Sequence, residues 1–210
     1  LTGTLVKHEK TGRNKRFVVR MENIDSKMTQ EKELTEKAEN DQLTGILNKK
    51  TMEERVKAQL EHCAGSRNLI FFMIDLDNFK DVNDTLGHAY GDKVLTEAAE
   101  KLKQVFPAKA LIGRLGGDEF SVCASFDAFD LDNLTEYMTQ KGDKLCDILK
   151  EEYVSGDKSV QVSASIGIAS APVDGEDFLT IYQKADKALY LSKRSGKNRY
   201  NLFQHSAADE

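Results

Sequence analysis

The chain alternates between long apolar runs and amphipathic stretches, and this pattern predicts interleaved strands and helices. The longest apolar run, NLIFFMIDLD at residues 68–77, has almost no polar position before its last residues. Such a run is typical of a strand buried on both faces, because a strand with one exposed face alternates apolar and polar residues. Apolar residues at helical spacing predict four helices, which cover residues 51–64, 91–106, 131–152 and 178–192.

Shorter apolar segments predict the remaining strands. KALIGRL and EFSVCAS are joined by Gly116 and Gly117, so the motif RLGGDEFSV forms the tip of a predicted hairpin. SVQVSASIGIAS and RYNLF, which begin at residues 159 and 199, predict two further strands. The order helix, strand, helix, hairpin, helix, strand, helix, strand predicts one α/β (α+β) domain, whose central, mostly antiparallel sheet is flanked by helices.

The N-terminal part differs in composition from the rest of the chain. Residues 1–25 predict a β-hairpin, which is marginal on its own in water and must pack on something or belong to a larger sheet. Residues 26–40, SKMTQEKELTEKAEN, predict a polar helix with a thin apolar stripe. Two interpretations of this helix stay open: a connector that pairs with a copy of itself in a dimer, and a solvated single helix.

Composition narrows the classes of partner. A net charge of −5 and a pI of about 5.5 argue against broad binding to nucleic acid, although a local basic pocket remains compatible with them. The three cysteines are far apart and match neither a zinc site nor a disulfide framework, which favours a reducing cytoplasm. No apolar run reaches membrane-spanning length, so we expect no membrane contact by this chain. The sequence does not begin with Met, so we expect this chain to be a piece of a longer protein. That longer protein can carry a membrane anchor.

Three carboxylates stand where a strand end and a hairpin tip can meet. Asp75 follows the buried segment LIFFMI, and Asp118 and Glu119 follow the two glycines of the hairpin. A buried carboxylate at a strand end is costly unless it is paired, hydrogen-bonded or bound to a metal. Asp75 alone is also compatible with a helix cap, but three converging carboxylates repel each other unless a cation lies among them. Oxygen ligands of this kind favour Mg²⁺ or Mn²⁺, which serve displacement at phosphorus.

Cationic and amide side chains supply candidate ligands for a nucleotide. Lys80 stands beside backbone N–H groups at a turn into a helix, which is a natural anion site. Lys193 and Lys197 belong to the basic stretch SKRSGKNR, which favourable charge placement at a helix C-terminus also explains. Asn83 and Asp92 can together bind the edge of a guanine, although each alone is more often a turn or cap residue.

Taken together, these motifs resemble the GGDEF family of diguanylate cyclases. The signature GGDEF is intact at residues 116–120, and DLDNFKDVNDTLGHAYGDKVL at residues 75–95 resembles the metal and guanine segment of the family. DQLTGILNKK, SIGIA and ADKALYLSKRSGKNRY are similar to three further motifs. The resemblance covers residues 41–203 and predicts a domain at residues 41–205, with a tail at residues 206–210.

The resemblance implies a fold like the catalytic core of class III nucleotide cyclases and the polymerase palm. It implies conversion of two GTP into cyclic di-GMP and two pyrophosphates, with two Mg²⁺ or Mn²⁺ ions in each active site. Each domain would carry one GTP, so two domains must face each other. A homodimer is therefore expected, with the connector helix controlling its assembly.

The resemblance also implies a role for each matching residue. Glu119 would help to deprotonate the attacking 3′-hydroxyl, Arg114 would support the site, and Leu95 would flank the base. The metal ions would be bound by Asp75, the backbone carbonyl of Leu76, Asp118 and Glu119. Gly116 and Gly117 would let the backbone approach the α-phosphate, and Asn83 and Asp92 would bind the guanine. The triphosphate would be bound by the backbone of Asn78 and Phe79 and by the side chains of Lys80, Lys193 and Lys197.

Three features depart from the family pattern or lie outside it. Many members carry an inhibitory product site, Arg-x-x-Asp, upstream of the signature; Pro107 and Ala110 stand there instead, which predicts that this site is absent. Lys197 replaces the usual Arg of the late GRN motif and keeps the charge without the bidentate fork. Residues 1–25 resemble the last strands of a PAS sensor domain, which would lead into a signalling helix at residues 26–40.

Three functions remain open at this stage. An active diguanylate cyclase is favoured because all three signature carboxylates are present. The alternative is a catalytically inactive GGDEF domain that binds GTP or another nucleotide and regulates by contact. A related cyclase making a mixed or adenine dinucleotide is the third; Asp92 argues for guanine, because its carboxylate accepts from donors that adenine lacks at those positions.

Overall fold

The chain divides into two units, Leu1–Glu39 and Asn40–Glu210. Its computed structural model describes residues 3–5, 19–21, 34–63, 67–127 and 131–204. In the first unit, Gly3–Leu5 (β1) pairs antiparallel with Val19–Met21 (β2), in agreement with the predicted hairpin, and residues 34–39 are helical. The rest of the predicted connector helix, residues 26–33, and the predicted tail lie outside the described residues.

The strands of the second unit form one seven-stranded sheet. They are Leu47–Asn48 (β3), Asn68–Asp77 (β4), Leu111–Gly116 (β5), Glu119–Phe126 (β6), Glu151–Ser155 (β7), Lys158–Ala171 (β8) and Arg199–Leu202 (β9). Their order is β3, β5, β6, β4, β8, β7, with β9 also beside β8. β3 is parallel to β5 and β9 is parallel to β8, whereas all other pairs are antiparallel. The predicted central, mostly antiparallel sheet is confirmed.

Helices cover both faces of this sheet. They are Lys49–Cys63 (α1), Phe79–Leu86 (α2), His88–Val105 (α3), Leu131–Leu149 (α4) and Phe178–Arg194 (α5). Alternate residues of β4, such as Phe72 and Ile74, pack with α3 and α4, while Phe71 and Met73 pack with α1 and α5. This two-sided burial explains the continuous apolar run. Among the described residues, no helix combines the length and apolarity needed to cross a membrane.

Two predicted helices have a boundary that is wrong by three residues, while the other boundaries differ by two residues or fewer. The helix predicted for residues 131–152 ends at Leu149, and β7 follows it. Tyr153 of β7 is 5% exposed and its hydroxyl donates to Glu97 of α3, so packing in the sheet overrides a continued helix. The helix predicted for residues 91–106 begins at His88 instead, directly after the separate short helix α2.

Gly167 of β8 marks a close approach between the sheet and α5. A Cβ at this position would lie 2.0 Å from the carbonyl oxygen of Ala185 and 2.3 Å from the backbone nitrogen of Leu189. Because both are backbone atoms of a packed helix, neither can turn away, and such overpacking costs about 1–3 kcal/mol. We expect Gly167→Ala to lower the free energy of unfolding, measured by urea denaturation, by about 2 kcal/mol.

The control is Gly175→Ala. Its Cβ would meet the side chain of Thr180, at 2.6 Å from Cγ2, and no backbone atom is among its nearest contacts. We expect a smaller loss there. Equal losses in the two variants would contradict the assignment of the constraint to the contact between β8 and α5.

Candidate active site

The turn between β5 and β6 meets the end of β4. Asp75 of β4 is the register partner of Glu119 in β6 and, on its other side, of Ser165 in β8. The N–H of Leu76 donates to the carbonyl oxygen of Asp118 over 3.2 Å. The sheet therefore brings the strand end and the hairpin tip together, and the predicted proximity of these residues is confirmed.

The two glycines of the turn adopt conformations that disfavour other residues. Gly116 has φ 147° and Gly117 has φ 53°, and the β5–β6 register shifts between Arg114 and Gly116. A Cβ at either glycine would meet no protein atom within 4 Å, so the backbone conformation itself requires glycine. Arg114 secures the turn, because its Nε and Nη2 donate to the carbonyl oxygen of Gly117 at 2.9 and 2.7 Å.

Asp75 places a largely buried negative charge at this strand end. Its side chain is 13% exposed, and the Nζ of Lys193 at the end of α5 lies 2.6 Å from its Oδ2. Burial raises the pKa of Asp75, the hydrogen bond and charge of Lys193 lower it in part, and the charges of Asp118 and Glu119 raise it further. Burial is the main cause of the raised pKa, and a cation beside the carboxylate would oppose it by favouring the charged form.

The carboxylates suit a hard divalent cation by their chemistry and position. Asp75, Asp118 and Glu119 offer oxygen donors, which Mg²⁺ and Mn²⁺ prefer. Within the described ranges, no group of three or more His, Cys, Asp or Glu side chains is arranged to hold a metal ion. The three carboxylates thus fit the expected cation by their donor chemistry alone.

A cavity of about 390 Å³ opens beside Asp75. Its walls come from residues 75–81 at the end of β4 and the start of α2, from Asp118, and from Lys193 and Lys197. Asn78 precedes α2 with φ 64°, and its Oδ1 accepts from the Nζ of Lys197 over 3.0 Å. The cavity thus brings together all the residues predicted to bind a triphosphate: Asn78, Phe79, Lys80, Lys193 and Lys197.

The predicted guanine ligands lie on α2 and α3, outside the walls of that cavity. The side chain of Asn83 packs against Gly91, where an added Cβ would lie only 2.1 Å from its Oδ1. Asp92 is exposed and directly follows Gly91, so the two predicted ligands occupy neighbouring places on adjacent helices. Leu95 is 3% exposed, and most of its surface belongs to the core rather than to a binding site.

Sequence reasoning missed the role of Asp77. Asp77 is the last residue of β4 and is 2% exposed. Its carboxylate accepts hydrogen bonds from the hydroxyls of Ser163 and Ser165 and from the N–H of Asn198. The alternation Ser-x-Ser in β8 is the matching signal, but it has meaning only once the register of β4 and β8 is known.

Asp41 is a second residue whose role the sequence did not reveal. Its Oδ1 accepts from the N–H and hydroxyl of Thr44 at 2.9 and 2.7 Å. The Nη1 of Arg114 lies 3.2 Å from both carboxylate oxygens of Asp41. Because Arg114 also holds Gly117, one guanidinium links the DQLT segment to the glycine turn.

The positions of the upstream product motif carry no charge. Pro107 and Ala110 lie in the connection between α3 and β5, where the N–H of Ala110 donates to the carbonyl oxygen of Pro107 over 2.9 Å. Neither side chain can replace the Arg or the Asp of the Arg-x-x-Asp pattern.

Comparison with known proteins gives a consistent result. Residues 38–199 match the family described as diguanylate cyclase, GGDEF domain. The signaling protein YkoW of Bacillus subtilis is 35% identical over 185 residues, which is 86% of this chain and 22% of YkoW. The bifunctional diguanylate cyclase/cyclic di-GMP phosphodiesterase MucR of Pseudomonas aeruginosa is 34% identical over 83% of this chain and 25% of MucR. The chain therefore spans about a quarter of the length of these curated relatives.

Solved structures share the fold. A sensory box/GGDEF family protein from Caulobacter crescentus is 32% identical with a TM-score of 0.65, and the match covers 75% of this chain and 99% of that one. The GGDEF domain of YfiN (also TpbB) from Pseudomonas aeruginosa is 29% identical with a TM-score of 0.70, over 79% of this chain and 94% of that one.

The Asp41–Arg114 contact makes stability depend on pH. Burial alone would raise the pKa of Asp41, but the hydrogen bonds from Thr44 and the charge of Arg114 outweigh it and lower the pKa below the usual 3.8. A carboxyl with a lowered pKa stabilises the folded state above its unfolded-state pKa, and the contribution is lost as the pH falls through the folded-state pKa. We expect Asp41→Asn to unfold at a lower temperature than the wild type at pH 7, with the difference shrinking as the pH falls past the ordinary pKa and vanishing below the lowered one.

Thermal unfolding followed by circular dichroism between neutral and acid pH measures this difference. Glu54→Gln, which removes a charge on the exposed face of α1, serves as the control. A difference in unfolding temperature for Asp41→Asn that persists unchanged into acid would argue against an ionised, paired Asp41.

Proposed function

The chain belongs to the GGDEF family, and on that premise we propose that its second unit is a diguanylate cyclase. It joins two GTP into cyclic di-GMP and releases two pyrophosphates. It works in the cytoplasm as a homodimer of facing domains. The segment of residues 26–40, predicted from the sequence as a connector helix, transmits a signal to it from a PAS-like sensor, of which residues 1–25 are the end.

One observation supports this proposal most strongly: Asp75 and Glu119 pair in register beside a cavity that Lys193 and Lys197 enter. Acidic groups for a cation thereby stand next to basic groups for a phosphate chain. An enzyme that displaces pyrophosphate needs both, because the reacting phosphorus must be positioned while its charge is neutralised.

The lysines and the start of α2 bind the triphosphate of the incoming GTP. Lys80, Lys193 and Lys197 supply positive charge, and the backbone N–H groups of Asn78 and Phe79 donate at the helix start. The open glycine turn lets the backbone approach the α-phosphate. Leu95 flanks the base. Asn83 both donates to and accepts from the guanine edge, and the carboxylate of Asp92 accepts from its N–H groups.

The displacement at phosphorus requires two facing domains, each of which binds one GTP. The 3′-oxygen of each GTP forms a bond to the α-phosphorus of the other, and the bond from that phosphorus to the oxygen bridging its α- and β-phosphates breaks. Two such displacements close the ring and release two pyrophosphates. Glu119 accepts the hydroxyl proton. Asp75, Asp118, Glu119 and the carbonyl of Leu76 would hold two Mg²⁺ or Mn²⁺ ions, which when bound lower the pKa of the hydroxyl and neutralise charge at phosphorus.

A second candidate function is a catalytically inactive, nucleotide-binding regulatory domain. The ion pair between Lys193 and Asp75 favours it, because the lysine occupies the carboxylate that a cation would need. MucR, whose name combines cyclase and phosphodiesterase activities, is about four times as long as the matched segment, so domains similar to this chain also occur within larger signalling proteins. The two functions differ in whether the protein converts GTP into cyclic di-GMP.

Incubation with GTP, with ATP and with both, in the presence of Mg²⁺ or Mn²⁺, provides the decisive measurement. We expect cyclic di-GMP from GTP alone and no adenine-containing product. High protein concentration should increase the specific activity, since two domains must meet. Absence of any cyclic dinucleotide at high concentration, together with measurable GTP binding, would favour the regulatory domain.

Asp118→Ala should reduce turnover at least a hundredfold, because the loss of a metal-binding carboxylate removes several kcal/mol of transition-state stabilisation. The fold should persist, since Asp118 lies at an accessible turn. Asp84→Ala, an exposed carboxylate on α2, is the control and should retain activity. Normal turnover by Asp118→Ala would refute the assigned role.

Product inhibition through the upstream motif should be absent. Initial rates measured with added cyclic di-GMP should show only competition with GTP, because Pro107 and Ala110 offer no charged ligand. The double variant Pro107→Arg/Ala110→Asp should introduce non-competitive inhibition. Tight product binding by the wild type at the α3–β5 connection would contradict this expectation.

A further inference from the structure

Asp77 lies at the edge of the proposed site but has no part in the proposed chemistry. Its carboxylate accepts from the hydroxyl of Ser163 at 2.7 Å and the N–H of Asn198 at 3.0 Å through Oδ2, and from the hydroxyl of Ser165 at 2.7 Å through Oδ1. A carboxylate that is only 2% exposed is costly unless it is paired in this way. The Asp77 carboxylate therefore acts through the groups to which it is hydrogen-bonded.

One of those groups belongs to an unusual turn after α5. Gly196, Lys197 and Asn198 all have positive φ angles, 109°, 61° and 47°. Two successive non-glycine residues in the left-handed region are uncommon and persist only where the surroundings hold them. The N–H of Lys197 donates to the carbonyl oxygen of Ser192 at 3.2 Å, and the N–H of Asn198 is held by Asp77.

The residue after Asp77 holds the other end of the same turn. Asn78 accepts from the Nζ of Lys197 at 3.0 Å through Oδ1 and donates to the carbonyl oxygen of Gln161 at 3.1 Å through Nδ2. Asp77 and Asn78 thus fix the backbone and the side chain of the segment Lys197–Asn198. Because β4 is the most buried strand of the sheet, it provides a rigid support for this turn.

We infer that Asp77 is a positioning residue, which fixes the turn at residues 197–198 and thereby places the Lys197 ammonium at the anion-binding cavity. The inference rests on the proposed function, in which Lys197 binds the GTP triphosphate. It explains why a fully buried position at a strand end carries a carboxylate. It also explains how a lysine can serve where a family member has an arginine: a fixed backbone limits the positions its flexible side chain can reach.

The first test separates KM from kcat. Asp77→Ala should raise the KM for GTP about tenfold, which corresponds to about 1.4 kcal/mol, with a smaller change in kcat. Asp77→Asn should stay close to the wild type, because its carbonyl oxygen can still accept from Asn198 while its amide donates to the Ser165 hydroxyl. The matched control is Asp174→Ala, which removes another buried carboxylate, bonded to Ser170 at the opposite end of β8. It should leave KM unchanged.

The second test asks whether Asp77 acts through Lys197. Lys197→Ala alone should raise KM, and adding Asp77→Ala to it should raise KM no further, because the side chain to be positioned is already gone. Multiplicative effects of the two substitutions would overturn the inference and indicate a general structural role. If Asp77→Ala does not fold, Asp77→Ser takes its place, since it keeps a hydroxyl at this buried position but removes the Oδ2 that accepts from the N–H of Asn198.

Hydrogen exchange provides a readout without nucleotide. The amide of Asn198 should lose protection in Asp77→Ala and keep it in Asp77→Asn. Unchanged protection in Asp77→Ala would also overturn the inference. A wild type that neither binds nor cyclises GTP would overturn the proposed function and this inference together, whereas a wild type that binds GTP with the same affinity as Asp77→Ala would overturn the inference alone.

Discussion

Asp75 lies opposite Glu119 because β4 and β6 pair in a register that the burial of β4 on both faces fixes. A shift of one residue would move every side chain of β4 to the other face, exchanging two sets of packed apolar residues. The same register places Leu76 against the carbonyl of Asp118 and sets the glycine turn beside the strand end. The geometry of the candidate site is thus a consequence of core packing.

The end of β4 carries two carboxylates in different surroundings: Asp77 is buried and Asp75 is partly exposed. The carboxylate of Asp77 accepts hydrogen bonds from three donors within the chain. Asp75, two residues earlier on the same strand, has one ion pair with Lys193 and a raised pKa. The first arrangement stabilises a turn, while in the second Lys193 pairs with a carboxylate that Asp118 and Glu119 also influence. Position along one strand therefore separates a structural role from a proposed chemical one.

Arg114 and Asp77 extend the site beyond the residues that would touch a nucleotide. Arg114 ties the glycine turn to Asp41 at the start of the second unit, and Asp77 ties the turn after α5 to β4. The elements that surround the cavity are consequently held by charge-assisted hydrogen bonds, which are stronger and more directional than neutral ones. Such support keeps the proposed ligands in place before substrate arrives.

The sequence by itself determined the main strands and helices, the hairpin tip and the family, because apolar periodicity and ordered motifs are local properties. It did not predict β7, since the burial of Tyr153 against α3 depends on a neighbour distant in sequence. It also left Asp77 and Asp41 without roles. Only the tertiary structure decided those, because a carboxylate is costly or stabilising according to the donors that the sheet register and the turns bring to it.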